Sequence, residues 1–217
     1  MKITRMLSAL AALAVASTLV LSGCENPITK RIFGSFDKPV IYLYPEKTTE
    51  VSVDLSIDGE FVSVYPEFNA GSSGWTVTAE PDGRLFVGGR EYYCLFWEGE
   101  TGAEYDFSKG FCVAGEDTAE FLRASLEKLG LTPREANEFI IYWLPRMEHN
   151  AYNLISFQTD AYTDAARLCV SPEPDSLIRV FMAFRALETP VEIEPQELSS
   201  PERSGFTVVE WGGSEVR

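Results

Sequence analysis

The stretch KPVIYLYPE, residues 38–46, decides the fold of this chain. Every position from Val40 to Tyr44 is apolar or aromatic, and a proline stands on either side of the run. Successive side chains of a strand point to opposite faces, so a run without polar positions is typical of a central strand covered on both sides. We expect Pro39 and Pro45 to mark its ends. The stretch is therefore predicted to be a wall of the core and not a ligand site.

Further strand-like runs follow up to about residue 113, separated by turn signals about every eight to twelve residues. The dipeptide Asp58-Gly59 favours a tight hairpin between two alternating runs, and PDG at 81–83 supplies another turn. The predicted strands of this block are VIYLY, EVSVDLSI, EFVSVYP, GWTVTAEP, RLFVG, EYYCLFWE and GFCV.

The pattern then changes to helical spacing in EDTAEFLRASLEKLG and LTPREANEF. Asp117 is a candidate cap for the first helix, with Glu120 completing a capping box, and Gly130 ends the run. Thr132 is the candidate cap of the second helix, and Pro133 occupies its first turn. The sequence predicts two consecutive short helices.

Strand patterns return in FIIYWLP, YNLISFQ, LIRVFMAFR and GFTVVEWGG. Arg179, on one face of LIRVFMAFR, suggests a sheet that is wetted on one side. Helices grouped between two blocks of strands indicate an α+β fold. We predict a sheet-dominated, mostly antiparallel domain with two short helices grouped near 117–139.

The N-terminal residues have the layout of a secretory signal peptide. Lys2 and Arg5 precede an apolar run that ends in LSGC at Cys24, and the run is shorter than the roughly 20 residues of a membrane-spanning helix. This ending resembles the lipobox of bacterial lipoproteins. The resemblance implies that Cys24 is lipidated and anchors the protein to the cell membrane, facing the extracellular or periplasmic side. The alternative is an ordinary secreted protein.

The predicted organisation is a signal peptide at 1–23, a lipidated N-terminus and tether at 24–37, and a single globular domain at 38–213. The formal charge is −15, and removal of the two cations Lys2 and Arg5 makes it −17. Such an acidic body is a poor partner for nucleic acid. We expect the membrane, through the lipid anchor, to be a partner, and we expect no cofactor.

The remaining cysteines are Cys94, Cys112 and Cys169, an odd number in a compartment where disulfides form. A bridge between the first two is one alternative, and small buried thiols are the other. One histidine and three distant cysteines offer no close pair of soft ligands, so no metal site is expected.

Two tryptophan–glutamate pairs stand at the ends of strands, each followed by glycine: Trp97 with Glu98, and Glu210 with Trp211. Trp97, Trp211 and Tyr152 are candidate ligand-binding residues, because aromatic faces stack on sugar rings. If Glu98 and Glu210 shared a cleft, they could act as the paired carboxylates of a glycoside hydrolase. Neighbours along a strand face opposite ways, which opposes a single site that contains both pairs.

His149 is the third catalytic candidate, beside Glu98 and Glu210. It is the only histidine, and with a cysteine nucleophile and Asn150 or Glu148 as orienting group it would make a peptide hydrolase.

Several long motifs together resemble a family of uncharacterised secreted or lipid-anchored microbial proteins: KPVIYLYPEKTTEVSV, WTVTAEPDGRL, YYCLFWEG, EFIIYWLPRMEHNAYNLISFQ, PDSLIRVFMAF and RSGFTVVEWGG. The resemblance runs from Lys38 to Gly213 and implies a shared fold, with no activity or functional residue. We expect a noncatalytic ligand-binding or structural module of the cell envelope, with a glycan or an envelope protein as partner. The alternative is an envelope hydrolase acting on glycan or peptide.

Overall fold

The computed structural model describes residues 34–216, so the predicted signal peptide and Cys24 lie outside the described part of the chain. The strands are β1 (Gly34–Tyr44), β2 (Thr49–Ile57), β3 (Gly59–Tyr65), β4 (Gly74–Ala79), β5 (Leu85–Val87), β6 (Arg90–Tyr92), β7 (Leu95–Thr101), β8 (Phe111–Ala114), β9 (Tyr152–Gln158), β10 (Ala166–Ser171), β11 (Ser176–Leu187) and β12 (Thr207–Glu215). The helices are α1 (Thr118–Lys128), α2 (Pro133–Met147) and α3 (Asp160–Ala165). The predicted α+β, sheet-dominated fold is confirmed.

The strands form two sheets. The larger has seven strands in the order β3-β7-β1-β12-β11-β9-β8, and the smaller has five in the order β10-β2-β4-β5-β6. All pairs are antiparallel except β11 with β12. One hydrophobic core joins the two sheets, and a second joins the seven-stranded sheet to α1 and α2. The seven-stranded sheet is therefore a middle layer, buried on both faces.

The opening stretch lies where its pattern predicts. On β1, Ile41 and Leu43 face the core between the sheets, whereas Val40 and Tyr42 face the helices. The stretch thus contributes side chains to both hydrophobic cores. β1 begins at Gly34, four residues before the predicted start of the domain.

Pro39 does not mark the end of β1. It lies at a bulge, where the register shifts between Asp37 and Val40 with β12 and between Phe36 and Val40 with β7. A bulge is one of the few places in a sheet that accept proline, which has no N–H to donate.

The predicted hairpin at Asp58-Gly59 is wrong, although both flanking strands form. β2 belongs to the five-stranded sheet and β3 to the seven-stranded sheet, so this turn carries the chain between sheets. The N–H of Asp58 donates to the carbonyl of Ala165 at 2.7 Å. A Cβ on Gly59 would lie 1.9 Å from the carbonyl oxygen of Glu100, so glycine is required here for close approach of β3 and β7.

The strand predicted for FIIYWLP is also wrong, because residues 139–145 are helical. Phe139, Trp143 and Met147 recur every four residues and are fully buried, whereas Ile141 is 74% exposed. This spacing places the buried side chains on one helix face, which packs on the sheet.

The start of α2 is as predicted. The hydroxyl of Thr132 accepts from the N–H of Glu135 at 3.4 Å, and the N–H of Thr132 donates to the Glu135 carboxylate at 2.8 Å. Arg203, from the connection between β11 and β12, donates to the same carboxylate and to the carbonyl of Gly130. The connection is thereby fixed to the beginning of the helix.

The capping box predicted for α1 does not form. A 3-10 turn at Gly115–Asp117 precedes the helix, and Asp117 makes no side-chain capping hydrogen bond. Glu120 instead accepts from Arg123 at 3.0 Å. Gly130 adopts a φ of 83° just beyond the helix, as expected of a terminating glycine.

Two elements were not predicted, α3 and β10. α3 has six residues, too few for a helical period to be visible in the sequence. β10 is an edge strand of the five-stranded sheet, paired with β2. The run EYYCLFWE, predicted as one strand, is divided between β6 and β7, which belong to different sheets.

Candidate functional site

Trp97 and Glu210 meet on the face of the seven-stranded sheet that packs on the smaller sheet. The indole N–H of Trp97 donates to the Glu210 carboxylate at 3.1 Å, and Arg179 Nε donates to its other oxygen at 2.6 Å. Glu210 and Trp97 are fully buried. The guanidinium of Arg179 also lies 4.6 Å from the ring centre of Tyr162.

The position of Arg179 in the sequence suggested a sheet face open to solvent. Arg179 does not lie on such a face. Its side chain is only 9% exposed and is paired with Glu210, its direct neighbour across β11 and β12. Burial and the charge of Glu210 raise the pKa of Tyr162, so its hydroxyl stays protonated. The ion pair of Arg179 and Glu210, which Trp97 and Tyr162 contact, is called the sealed pair below.

The two predicted catalytic carboxylates are not brought together. Glu98 lies on the helix side of the sheet, where its carboxylate accepts from the backbone N–H of Lys38 at 3.2 Å, whereas Glu210 lies on the opposite side. The paired-carboxylate arrangement of a glycoside hydrolase needs both groups in one cleft. The sheet itself stands between them.

The predicted tryptophan platforms are not at the surface. Trp97 is 0% exposed, and Trp211 is 1% exposed with its ring 5.3 Å from that of Phe139. Tyr152 is half-buried within β9, opposite Ala114 and Leu187.

His149 and the cysteines do not form an activated set. The side chain of His149 is 86% exposed and its ring nitrogen is 3.8 Å from Glu148. Cys94, Cys112 and Cys169 are all free thiols, so the bridge left open between the first two is not formed. Burial and the nearby Glu138 raise the pKa of Cys94 to about 12, which disfavours the nucleophilic thiolate.

A cleft of about 340 Å³ lies on the helix side of the seven-stranded sheet, between α2 and the bulge of β1. It combines two cations, one carboxylate and several aromatic or aliphatic side chains. Its lining residues are Lys38, Val40, Tyr93, Glu138, Ile141, Tyr142, Arg146 and Trp211.

The bulge of β1 presents Lys38 to this cleft. Lys38 has a φ of 60°. Within residues 34–216 it is the only non-glycine residue in the left-handed region. Such a conformation costs a side-chain-bearing residue about 1 to 2 kcal/mol, and backbone strain of this kind is found at functional sites. Gly212 makes room for the bulge, because a Cβ there would lie 3.0 to 3.2 Å from atoms of Pro39.

The two cations of the cleft share one aromatic ring. Lys38 Nζ lies 5.9 Å from the ring centre of Tyr142 and 5.0 Å from that of Phe96. The guanidinium carbon of Arg146 lies 4.0 Å from the Tyr142 ring centre. No carboxylate of residues 34–216 forms a salt bridge with Lys38 or Arg146.

The acidic groups around the cleft accept hydrogen bonds from nearby donors. Asp37 accepts from the hydroxyl of Ser35 at 2.9 Å. Burial raises the pKa of Asp37, and the charge of Arg146 partly opposes that rise.

Glu138 accepts from the hydroxyl of Tyr42 at 2.6 Å and lies 3.6 Å from Arg134. Glu98 accepts from Lys38, as described above. Burial, together with Glu138, raises the pKa of Tyr42, so its hydroxyl remains a donor.

Sequence reasoning singled out one lining residue, Trp211 on β12, but missed the cleft as a whole. The other residues come from the start of β1, which was assigned to the core alone, from the segment between β6 and β7, and from α2, whose cleft-lining part was predicted as a strand. The helical spacing of Glu138, Tyr142 and Arg146 was a usable signal, because residues four apart share one helix face.

Two other depressions are present. One lies between α1 and residues 196–199, beside Phe111 and Phe121, and the other is a polar depression beside Gln158. Within residues 34–216, no group of three or more histidine, cysteine or acidic side chains is placed to hold a metal ion. None of the described helices has the length and apolar character needed to span a membrane.

Comparison with known proteins gives a partial likeness. A Butyrivibrio fibrisolvens protein described as "Uncharacterized protein in bglA 3'region" is 53% identical over 64 residues, which are 29% of this chain. The chain spans 66% of the length of that relative. No protein-family model matches the chain, and no solved structure matches it significantly. The functional conclusion therefore rests on the geometry of the cleft.

Proposed function

We propose that this protein is a noncatalytic binding module of the cell envelope, held at the outer face of a membrane by a lipid on Cys24, with the Lys38–Arg146 cleft as its binding site. The anchor is supported by the lipobox-like LSGC ending. The partner is a glycan or an envelope protein, and nucleic acid is disfavoured by the acidic charge.

The observation that carries the binding site is Lys38, held in a left-handed conformation over an open aromatic cleft without a carboxylate partner. The buried cation Arg179, in contrast, is bound to the carboxylate of Glu210, as a charge in the core requires. The hydrolase alternative is less well supported, because Glu98 and Glu210 occupy opposite faces of the sheet and the Cys94 thiol is not activated.

The anchor is tested by mass spectrometry of the N-terminal peptide and by cell fractionation, with Cys24→Ala beside the parent. We expect an acylated Cys24 in the membrane fraction and release of the variant from it. An unmodified N-terminus that begins at another residue would contradict the anchor.

The binding site is tested with the full-length product, purified in neutral detergent, on a panel of envelope and host glycans and envelope peptides. Tyr93→Ala in the cleft should remove binding of any ligand found. Phe86→Ala is a matched control, since each ring has an arginine guanidinium 5.9 Å from its centre but Phe86 lies on the five-stranded sheet. Binding that survives Tyr93→Ala, or no binding by the folded protein, would contradict the proposal.

A further inference from the structure

We infer that the cleft binds a carboxylate-bearing saccharide through Lys38 and Arg146; this inference rests on the proposed binding function and names its ligand class. The starting point is the charge that remains unpaired. Glu98 and Glu138 both accept hydrogen bonds, whereas neither cation forms a salt bridge with a described residue, although Arg146 also interacts electrostatically with Asp37. The cleft therefore offers two cations that no salt bridge occupies, in a chain whose formal charge is −15.

The positions of the cations favour an anionic ligand. Both approach the Tyr142 ring, at 5.9 and 4.0 Å from its centre, so an acidic ligand bound beside this ring lies close to a cation. An anionic group is the complementary ligand.

The remaining surface suits a sugar ring. Tyr93 is 51% exposed and Ile141 is 74% exposed at the rim, and they offer apolar area beside the charged groups. Sugars present apolar ring faces, which stack on aromatic side chains, together with polar edges. A volume of about 340 Å³ is at the small end of ligand sites, which matches a short saccharide segment.

An anionic lipid surface is the less favoured source of the same charge. The body of the protein is strongly acidic, so a flat anionic membrane would repel most of its surface. A concave site with two cations can instead take one small anionic unit without bringing the acidic surface against other anions.

The experiment is isothermal titration calorimetry of the full-length product in neutral detergent with tri-galacturonic acid and with its fully methyl-esterified form. The ester keeps the sugar rings and removes the negative charges. We expect the acid to bind at least about tenfold more tightly, the difference expected from one hydrogen bond to a charged group. Its affinity should fall as salt is raised.

Three variants locate the charge dependence. Lys38→Gln and Arg146→Gln should each weaken binding of the acid about tenfold. Lys47→Gln is the matched control, because it removes the same charge from an exposed lysine beyond the other end of β1, and its affinity should stay within about twofold. Circular dichroism of each variant checks that the fold is retained.

The outcomes separate this inference from the proposed function. Equal binding of acid and ester that is lost in Tyr93→Ala would overturn the acidic ligand and leave the binding module intact. The same conclusion follows if the acid binds but neither Lys38→Gln nor Arg146→Gln weakens its binding. No binding of either sugar, together with no ligand on the wider panel, would overturn both. Binding to phosphatidylglycerol vesicles in place of the acid, lost in Arg146→Gln, would overturn the saccharide in favour of a lipid headgroup.

Discussion

The two faces of the seven-stranded sheet each hold an arginine against a tyrosine ring, but the two arginines differ in burial and in pairing. In the sealed pair, Arg179 lies 4.6 Å from the ring centre of Tyr162 and bonds the buried Glu210. In the cleft, Arg146 lies 4.0 Å from the ring centre of Tyr142 and forms no salt bridge with a described residue. Both sites place an arginine on a tyrosine ring, but Arg179 is buried and paired with a carboxylate, whereas Arg146 is exposed and forms no salt bridge with a described residue.

The difference teaches how to separate structural charge from functional charge. A buried ion must have a partner, because an uncompensated charge in the interior destabilises the fold strongly. An exposed cation needs none for stability, so when it is set on an aromatic ring beside a strained lysine, the arrangement calls for another explanation. Four predictions test this division.

The largest effect is expected from Glu210→Gln in the sealed pair. The change leaves the guanidinium of Arg179 buried without a counter-charge, and breaking such a pair costs about 3 to 5 kcal/mol of unfolding free energy. Urea denaturation followed by tryptophan fluorescence measures the loss.

Glu98→Gln is the control, with the same chemistry on the other face of the same sheet. Glu98 is half-buried and bonds one backbone N–H, so we expect a loss of at most about 1.5 kcal/mol. Equal losses at the two positions would remove the distinction between the faces. Replacing Arg179 and Glu210 together by leucine should recover most of the stability, because well-packed apolar residues can substitute for a buried pair.

The next effect is expected from Gly212→Ala, opposite the bulge that forms the cleft. The new Cβ would lie 3.0 to 3.2 Å from three atoms of Pro39, two of which belong to the backbone. Overpacking of this kind costs about 1 to 3 kcal/mol, and here it also displaces the bulge that positions Lys38. The measurement pairs denaturation with ligand affinity, and both should fall. A variant as stable as the parent that still binds ligand would contradict the role given to this glycine.

A smaller change in stability is expected when the backbone conformation of Lys38 is tested apart from its side-chain charge. Lys38→Gly and Lys38→Ala both remove the cation, but only glycine relieves the φ of 60°. The left-handed conformation costs a residue with a Cβ about 1 to 2 kcal/mol, partly offset by the greater freedom of glycine in the unfolded chain. The glycine variant should therefore unfold with about 0.5 to 1 kcal/mol more free energy than the alanine variant. An alanine variant of equal or higher stability would show that no strain is stored there.

The sequence predicted the middle layer of the fold well, because uninterrupted apolar runs such as 40–44 have one simple structural solution. It failed where local preference and tertiary context differ. FIIYWLP favours a strand by composition, yet the capping box at Thr132 and the burial of one helix face prevail. Asp58-Gly59 is a hairpin dipeptide that connects two sheets instead.

The candidate site was harder to predict for a physical reason. Glu210 and Trp97 were correctly singled out as unusual, and they do meet, but as partners of Arg179 inside the core. The cleft depends on a bulge at Lys38 and on the register of α2 over β1, and neither is encoded in a short motif. The four-residue spacing from Glu138 to Arg146, together with Trp211, could have pointed to it.

The smallest change in stability is expected for Arg146→Gln, which is compared with Arg179→Gln on the other face of the sheet. Arg146→Gln removes an exposed cation that rests on Tyr142, and surface substitutions of this kind change stability within about 0.5 kcal/mol. Arg179→Gln instead leaves the buried Glu210 carboxylate without its counter-charge. The expected loss of unfolding free energy is about 3 to 5 kcal/mol, as for Glu210→Gln. The same substitution on the two faces should therefore separate in denaturation by several kcal/mol. If Arg146→Gln were as destabilising as Arg179→Gln, the cation of the cleft would be part of the scaffold, and its role in binding would lose its main support.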